Sequence, residues 1–274
     1  MRAALLQMTA GIDPATNAAI LVSAISDAKA AGANMLFTPE MSGCLDMDRA
    51  RSAAVIRPEE ADPVLAAVRE AACAQGIWVQ LGSLAIADPA SGKRRNRAYL
   101  IDDQGEIRAR YDKMHLFDVD LPSGESWRES SSYVGGEGAV VADTPWGRLG
   151  LTICYDLRFP ALYQTVSEAG AVMAAIPAAF TVPTGEAHWH VLMRARAIEN
   201  AMFVIAAAQV GQHEDGRLTY GHSLVVDPWG DVLLDAGDRP GIHLIDLPLA
   251  GIDDVRTRIP VLRHRRSIAK MDAT

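Results

Sequence analysis

Cysteine is scarce in this sequence, with only three among 274 residues. Cys44, Cys73 and Cys154 are odd in number and form no CxxC pair, so a disulfide framework and a thiolate zinc knuckle are both excluded. We therefore expect a chain that works in the reducing cytoplasm, where any special cysteine is special by its reactivity. For Cys44 and Cys73, simple packing is the expected role.

Positive charge is also in short supply, because 26 Lys and Arg stand against 34 Asp and Glu and give a net charge of −8. Nucleic acids and anionic membranes attract proteins with positive fields, so this balance argues against a general binder of either. The C-terminal region locally reverses the charge with a set of basic residues: Arg256, Arg258, Arg263, Arg265, Arg266 and Lys270. We interpret this set as a solvated face or a subunit contact rather than a nucleic-acid patch.

Long apolar runs are missing as well. No stretch reaches the ~18 consecutive apolar residues of a membrane helix, and the N-terminus has neither the apolar segment nor the cleavage site of a signal peptide. Nevertheless, 49% of the residues are hydrophobic, which is enough to bury a sizeable core, and no linker or low-complexity tract divides the chain. We therefore expect one compact domain over residues 1–274.

The chain alternates between strand and helix signals. Apolar residues at helical spacing predict helices over 14–31, 62–75, 159–169 and 186–200. β-rich runs that end at turn residues predict strands near 2–8, 34–37, 77–86, 96–101, 106–112, 138–142, 148–153, 171–176, 202–208, 221–226, 230–235 and 241–246.

The order of these elements predicts the architecture. The first half reads strand, helix, strand, helix and then three strands, and the second half follows the same order after an extra strand at its start. Each half resembles a sheet covered by helices on one face. Two such sheets bury their bare apolar faces best against each other. The predicted fold is therefore α/β, a four-layer α-β-β-α sandwich.

A reactive side chain follows a strand in three segments. MLFTPEMSG carries Glu40, RARYDKMHLFD carries Lys113, and RLGLTICYDLRFP carries Cys154. Strand ends in α/β folds are where side chains distant in sequence converge. Each residue alone has a plain structural explanation, as a solvated cap, a surface lysine or a small buried hydrophobe. Together they supply a carboxylate base, a fixed cation and a thiol nucleophile, which are the groups that acyl transfer requires.

These segments resemble a known family. FTPE, YDKMHLFD and ICYDLRFP are similar to the Glu, Lys and Cys motifs of the nitrilase (carbon–nitrogen hydrolase) superfamily. The similarity continues through PAAFTVPTGEAHWHVLMRARAIEN, VIAAAQVGQH, YGHSLVVDPWGDVL and IPVLRHRR, which look like the branch of ω-amidases and deaminated glutathione amidases. The resemblance implies an amidase with Cys154 as nucleophile, Glu40 as general base and Lys113 as the third member of a triad. It also implies the four-layer sandwich and a homodimer or larger homo-oligomer, paired through the helix after Cys154 and the tail near 259–266.

Further site residues follow from the resemblance and from the chemistry of acyl transfer. Glu129, in SWRES, matches a second glutamate that many family members place near the site, and Glu125 is the competing candidate. The Lys113 ammonium, which also favours the thiolate of Cys154, and the backbone N–H of Tyr155 are the expected donors to the oxyanion. The reaction would pass through a thioester on Cys154 and would need neither a metal nor an organic cofactor.

Arg158 carries the prediction of the substrate. An arginine near the start of a helix opposes the helix dipole, whereas its guanidinium is well suited to a carboxylate. In the ω-amidase-like branch this position resembles one that grips the α-keto-acid end of the substrate, with Phe180 as an apolar wall and Thr184 as a hydroxyl donor. An ion pair with Asp156 or Asp112 is the structural alternative. We expect a small-molecule amide with a carboxylate, deaminated glutathione ahead of 2-oxoglutaramate, with 2-oxoglutarate and Cys-Gly as the products of the former.

Other functions remain open at this point. His115, His188, His190 and His222 offer a Cys–His dyad or, with Glu186, a metal site, although no HExxH motif occurs and His188 and His190 lie on different faces of a helix. A non-enzymatic binding module on the same fold is the third possibility. Such a module commonly lacks a member of the catalytic set, and this chain has all three.

Overall fold

The computed structural model describes residues 1–120, 124 and 126–269 of the chain. Its α-helices are α1 (Pro14–Ala30), α2 (Arg49–Ala53), α3 (Pro63–Gln75), α4 (Pro160–Glu168), α5 (Val182–Asn200), α6 (Ile252–Arg258) and α7 (Val261–His264). Its strands are β1 (Arg2–Gln7), β2 (Met35–Phe37), β3 (Trp78–Asp88), β4 (Lys93–Ile101), β5 (Ile107–Asp112), β6 (Asp118–Asp120), β7 (Ser126–Arg128), β8 (Val140–Thr144), β9 (Gly147–Leu151), β10 (Met173–Ala175), β11 (Phe203–Ala206), β12 (Val210–Gln212), β13 (Leu218–Tyr220), β14 (Leu224–Val226), β15 (Val232–Asp235) and β16 (Gly241–Asp246). Glu125 and Lys270, both named above, lie outside the described residues.

Two six-stranded sheets form the framework, in the strand orders β16-β1-β2-β3-β4-β5 and β15-β14-β11-β10-β9-β8. The assignment of 241–246 to the second half was wrong, because β16 pairs antiparallel with β1 of the first sheet from Arg2–Asp246 to Gln7–Gly241. Crossing over in this way covers the open edge of β1, whose backbone groups would otherwise lack partners. It also gives both sheets the same number of strands.

Alternate residues of the first sheet enter different hydrophobic clusters, which defines the layers. Leu5 and Phe37 pack towards the second sheet, whereas their neighbours Leu6 and Leu36 pack under α1 and α3. On the far side of the second sheet, α4 and α5 contribute buried residues such as Trp189. The predicted four-layer α-β-β-α sandwich is therefore confirmed. No described helix is both long and apolar enough to cross a membrane.

Local sequence signals explain where the main helices begin and end. Asp13 and Asp62 accept N–H bonds in the first turns of α1 and α3, each followed by a proline. Gly76 ends α3 with a positive φ of 60°. The predicted start of α5 at residue 186 was wrong: the helix begins at Val182, with a proline in its first turn. The short hairpins β6–β7 and β12–β13 were missed because three-residue strands leave almost no periodic signal.

The sheets deliver the three reactive side chains to one region from opposite sides. Glu40 follows β2 and Lys113 follows β5, both in the first sheet, whereas Cys154 follows β9 of the second sheet. The register of β3 against β4 shifts between Leu81 and Leu84, which is the mark of a bulge. This irregular stretch of β3 holds the turn that carries Glu40, because Ser83 donates its backbone N–H to the carbonyl of Pro39.

Substitution of Gly82 tests how far the position of Glu40 depends on the close contact between β3 and the turn at Thr38 and Pro39. A Cβ on Gly82 would lie 2.0 Å from the carbonyl oxygen of Thr38 and 2.3 Å from that of Pro39. Both are backbone atoms with little room to move, so we expect Gly82→Ala to lower the free energy of unfolding by about 1–3 kcal/mol and to lower activity. Urea denaturation provides the measurement. Gly138→Ala is the matched control because no heavy atom lies within 4 Å of its Cβ position; equal stability of the two variants would contradict the expectation.

Candidate active site

A buried lysine lies between two glutamates at the centre of the site. The Nζ of Lys113 is 3.0 Å from Oε1 of Glu40 and 2.9 Å from Oε2 of Glu129. The side chain of Lys113 is 3% exposed, and that of Glu129 is 13% exposed. Glu129 also accepts the backbone N–H of Phe117 at 2.7 Å, which fixes its carboxylate. The structure thus brings Glu40, Lys113 and Glu129 together.

Other groups fix the Glu40 carboxylate from both sides. Its Oε1 accepts the side-chain amide of Asn96 at 2.8 Å, and its Oε2 accepts the backbone N–H of Ala179 at 2.9 Å. The side-chain amide of Gln209 donates to the backbone carbonyl of Glu40 at 2.9 Å. Burial acts to raise the pKa of Glu40, but the Lys113 charge and the hydrogen bonds from Lys113 and Asn96 lower it below its ordinary value. Glu40 is therefore a carboxylate at neutral pH and can accept a proton.

Cys154 occupies a strained turn directly above this carboxylate. Its backbone φ is +47°, which a residue other than glycine rarely adopts, and its N–H donates to the carbonyl of Pro177. The thiol lies close enough to Glu40 for each group to shift the pKa of the other. Burial and the negative charge of Glu40 raise the pKa of Cys154 well above its usual value, and Lys113 only partly opposes them. Lys113 does favour the thiolate, as the sequence predicted, but burial and Glu40 outweigh it, so the resting group is a protonated thiol.

A buried carboxylate beneath Cys154 connects the turn to the lysine loop. Asp156 is fully buried and accepts the Tyr111 hydroxyl at 2.6 Å, the Ile153 N–H at 2.9 Å and the backbone N–H of His115 at 3.1 Å. It is also 2.7 Å from the ring Nδ1 of His115. Because the first sheet supplies Tyr111 and the second supplies Asp156, this network holds Lys113 and Cys154 in register.

The backbone N–H of Tyr155 is available for a ligand. Among the described residues it has no hydrogen-bond acceptor, whereas its neighbours Cys154 and Asp156 donate to Pro177 and Ile153. The Tyr155 ring meets those of Phe117 and Phe159 edge to face, which fixes the peptide. A free N–H next to a nucleophile is the element that an oxyanion hole needs.

The histidines serve other contacts. The Nδ1 of His188 lies 3.2 Å from the Arg158 guanidinium. His190 and His222 both hydrogen-bond to Asp235, at 2.9 and 2.8 Å, and these three form the one metal-ligand type of group found in the described part of the chain. The group lies on the surface between α5 and β15, outside the cavity that holds Cys154.

A cavity of about 550 Å³ opens above Cys154, which suits a small molecule. Glu40, Lys113 and Glu129 lie at its base. Phe180 and Thr184 line one wall, and Thr184 exchanges a 2.7 Å hydrogen bond with the hydroxyl of Thr181. The remaining wall includes Arg94, Trp127, Tyr133 and Arg217.

Arg158 is set behind the aromatic wall rather than on the cavity surface. Its guanidinium carbon lies 5.5 Å from the centre of the Phe180 ring and 5.9 Å from that of Tyr155. The ion pairs considered for it do not form among the described residues, because Asp156 is bound as above and Asp112 pairs with Arg95 and Arg97. Among the described residues, the Arg158 guanidinium therefore interacts with the rings of Phe180 and Tyr155 and with His188.

Sequence reasoning missed several of these contacts. Asn96 lies in the middle of β4 with arginines on both sides, and nothing in the sequence distinguishes it from a solvated strand residue. Gln209 and the N–H of Ala179 reach Glu40 from the second half of the chain, so only the tertiary structure relates them.

The chain is similar to known proteins over nearly its whole length. The carbon–nitrogen hydrolase family model matches residues 2–257. A deaminated glutathione amidase from Yersinia enterocolitica is 40% identical over 270 residues, which are 98% of this chain and 94% of the relative. The crystal structure of the Caenorhabditis elegans NitFhit protein is 38% identical, with a TM-score of 0.89, and covers 97% of this chain and 65% of its own.

An amidase from Nesterenkonia sp. AN1 provides a chemical comparison. The structure of one of its mutants is 30% identical, has a TM-score of 0.81 and covers 97% of this chain and 94% of its own. It shows the acetamide moiety of fluoroacetamide added covalently at the active-site cysteine.

Replacement of Lys113 tests the central ion cluster. Lys113→Ala leaves Glu40 and Glu129 buried without their cation, and breaking a buried pair in this way typically costs about 3–5 kcal/mol. We expect this loss in urea denaturation at pH 7, together with loss of nearly all activity. Lys93→Ala, which removes an exposed lysine, is the control.

The pH dependence distinguishes this charge effect from lost packing. The pKa of Glu40 is lowered from 4.5 in the folded state, so its contribution to stability is present above that pH and is lost as the pH falls through the folded pKa. The difference in the free energy of unfolding between Lys113→Ala and the parent protein should therefore become smaller as the pH falls through the folded pKa of Glu40. Substantial activity in Lys113→Ala would instead point to a Cys–His enzyme.

Proposed function

The chain belongs to the carbon–nitrogen hydrolase family, and we propose that it hydrolyses the amide bond of a small carboxylate-bearing substrate through a thioester on Cys154. One observation carries the proposal: Cys154 lines the same cavity as Glu40, and Lys113, 3.0 Å from Glu40, keeps that carboxylate ionised. The nucleophile and its base thus line one cavity, which is large enough for a substrate.

Attack begins with transfer of the thiol proton. As the sulfur of Cys154 forms a bond to the amide carbon, its proton passes to the carboxylate of Glu40, and the carbonyl oxygen takes up the negative charge. The raised pKa of Cys154 means that this proton leaves only as the bond forms, which confines the strong nucleophile to the bound substrate.

Two donors stabilise the oxyanion. The backbone N–H of Tyr155 is one, and the Lys113 ammonium is the other. Once Glu40 is protonated, it holds Lys113 less strongly, so one N–H of Lys113 becomes available as the charge on the oxygen grows. Each donor of this kind is typically worth about 2.7–4 kcal/mol of barrier.

Collapse of the tetrahedral intermediate breaks the C–N bond. Glu40 returns its proton to the departing nitrogen, and the acyl group remains on Cys154 as a thioester. A water molecule then attacks the thioester carbon and gives a proton to Glu40, which passes it to the departing sulfur. Glu129 holds Lys113 in place through both steps, and its 2.9 Å contact with Nζ supports this positioning role.

The relatives indicate the substrate. Several are named deaminated glutathione amidase, at 40–47% identity, and we propose deaminated glutathione as the substrate, with 2-oxoglutarate and Cys-Gly as products. Arg158 would then attract the α-keto-acid carboxylate from behind the Phe180 ring, and the Thr184 hydroxyl would donate to the same end. ω-Amidase activity on 2-oxoglutaramate is the alternative, since it needs the same acyl group but releases ammonia.

A substrate panel tests the proposal. We expect the purified protein to release amine from deaminated glutathione with a higher kcat/KM than from 2-oxoglutaramate or acetamide, and Cys154→Ala to release none. Liquid chromatography of 2-oxoglutarate and Cys-Gly measures the products. Cys44→Ala is the matched control, because it removes a different buried thiol from the cavity wall. Turnover by Cys154→Ala, or the absence of turnover with every carboxylate-bearing amide, would reject the function.

The assembly belongs to the same proposal. Val191 and Ile198 of α5 are 68% and 46% exposed, and Ile259 of the C-terminal segment is 48% exposed. Arg265 ties that segment to α5 through a 2.6 Å bond to Asn200. These contacts support a homodimer that joins the α4–α5 faces and tails of two chains.

Light scattering tests the dimer. We expect a mass of about twice 29.4 kDa at micromolar concentration, reduced towards a single chain by Val191→Asp, which places a charge in the apolar contact. Leu244→Asp, at an exposed apolar residue of β16, is the control and should leave the mass unchanged. A single-chain mass for the parent protein would contradict the dimer.

The cytoplasm is the proposed compartment. All three cysteines are free, two of them buried and Cys73 exposed. An exposed free thiol persists in a reducing environment and would be a liability in an oxidising one.

A further inference from the structure

The cavity has a second wall, which we define by the two arginines that line it. Arg94 of β4 and Arg217, just before β13, line it together with Trp127 and Tyr133. Nothing in the chemistry proposed above uses these residues. Their contacts show which kind of ligand this wall lacks.

Arg94 has no acidic partner among the described residues. One of its guanidinium nitrogens donates to the Ser52 hydroxyl at 3.0 Å, and the other donates to the carbonyl of Arg49 at 2.9 Å. Both acceptors are neutral. They orient the guanidinium but do not neutralise it, so a half-buried positive charge faces the cavity.

Arg217 and Trp127 add unused hydrogen-bond donors. The guanidinium of Arg217 lies over the Trp127 ring, 5.0 Å from its centre. Its Nε and the indole nitrogen of Trp127 are both buried, and neither has an acceptor in the described part of the chain. Buried donors without acceptors are costly, which favours a ligand rich in acceptor oxygens.

The acids of this wall already have partners. Asp46 pairs with Arg51 at 2.8 Å, and Asp215 lies 3.3 Å from Arg217 while also accepting the backbone N–H of Met47. These pairings leave the positive charge of Arg94 without an acidic partner among the described residues. Burial raises the pKa of Tyr133 to about 12, and Glu129 adds to the rise, whereas Arg94 and Arg217 act to lower it, so both cations lie near this phenol. The wall therefore suits a carboxylate.

Strand geometry places this wall on the leaving-group side. Glu40 must return its proton to the departing nitrogen, so the amine half of the substrate begins beside Glu40. Asn96, which donates to Glu40, lies on the same face of β4 as Arg94 and two residues from it. Two strand residues span roughly 6.5 Å, and an extended dipeptide spans at most about 7 Å. A carboxylate at the far end of a dipeptide therefore reaches the level of Arg94.

We propose that Arg94, assisted by Arg217 and the Trp127 indole, binds a free carboxylate at the end of the amine half of the substrate. The site would thereby select amides whose leaving group is a dipeptide with a free C-terminus over amides that release ammonia. This inference rests on the proposed amidase function and assigns its leaving-group specificity. Arg94 would then bind one end of a dianionic substrate, and Arg158, behind the Phe180 ring, would attract the other end.

The experiment compares substrates that differ only in the terminal charge. One is 2-oxoglutarate joined through its C5 amide to Cys-Gly, and the other is the same compound with glycinamide in place of glycine. We expect the parent protein to prefer the free acid. In Arg94→Gln the ratio of kcat/KM values, acid over glycinamide, should fall about tenfold to hundredfold, mostly through KM, because one charged hydrogen bond is lost.

Two further variants serve as controls for this comparison. Arg108→Gln removes an exposed arginine of β5 that lies outside the cavity, and it should leave both the ratio and the activity unchanged. Arg158→Gln should lower kcat/KM for both compounds together, because they share the acyl half. If Arg94→Gln lowers both rates equally, Arg94 is a structural residue and the inference is wrong. If the parent protein cleaves neither compound, the proposed function itself fails.

Discussion

The ammonium group of Lys113 is the interaction on which the rest of the site depends. Burial alone would push Glu40 towards its neutral form, and a neutral Glu40 could not accept a proton. The Nζ of Lys113 lies 3.0 Å from Glu40 and favours its ionised form instead. Glu129 is the second carboxylate in contact with Lys113, and it offsets the cost of burying the lysine. Burial, together with the negative charge on Glu40, keeps the Cys154 thiol protonated. The pair therefore rests with its proton on sulfur, and in the proposed reaction this proton moves to Glu40 as the sulfur attacks the substrate carbonyl.

The packing of the two sheets against each other fixes the relative positions of these groups. Glu40 and Lys113 come from one sheet and Cys154 from the other, so any sliding between the layers would separate them. Asp156 resists such sliding because it accepts bonds from Tyr111 of the first sheet and from the backbone of the second. The positive φ of Cys154 is strain that this packing sustains. Catalytic geometry and the rigidity of the core are thus two consequences of the same contacts.

The sequence predicted most of the framework and only the centre of the site. Strand and helix periodicity was enough for the layers, because alternate residues such as Leu5 and Leu6 face different clusters. It was not enough for β16, since the choice of a neighbouring strand depends on which sheet edge remains open. Glu40, Lys113 and Cys154 were found because each follows a strand. Asn96, Gln209 and Arg94 were not, because their roles depend on contacts with segments remote in sequence, and their own neighbours carry no pattern that indicates them.

The overall charge of the chain is a poor guide to the charge of its ligand. A net charge of −8 would be expected to repel a dianionic substrate, yet the cavity places Arg94 and Arg217 on one wall and Arg158 behind the other. Screening in physiological salt limits the reach of exposed charges to about 8 Å, so acidic residues elsewhere on the surface have little effect inside the cavity. There the nearest charges act in a less polar medium and dominate. At the cavity base Lys113 offsets only one of the two carboxylates, Glu40 and Glu129. Attraction for an anionic substrate must therefore come from the walls, as the proposed role of Arg94 requires.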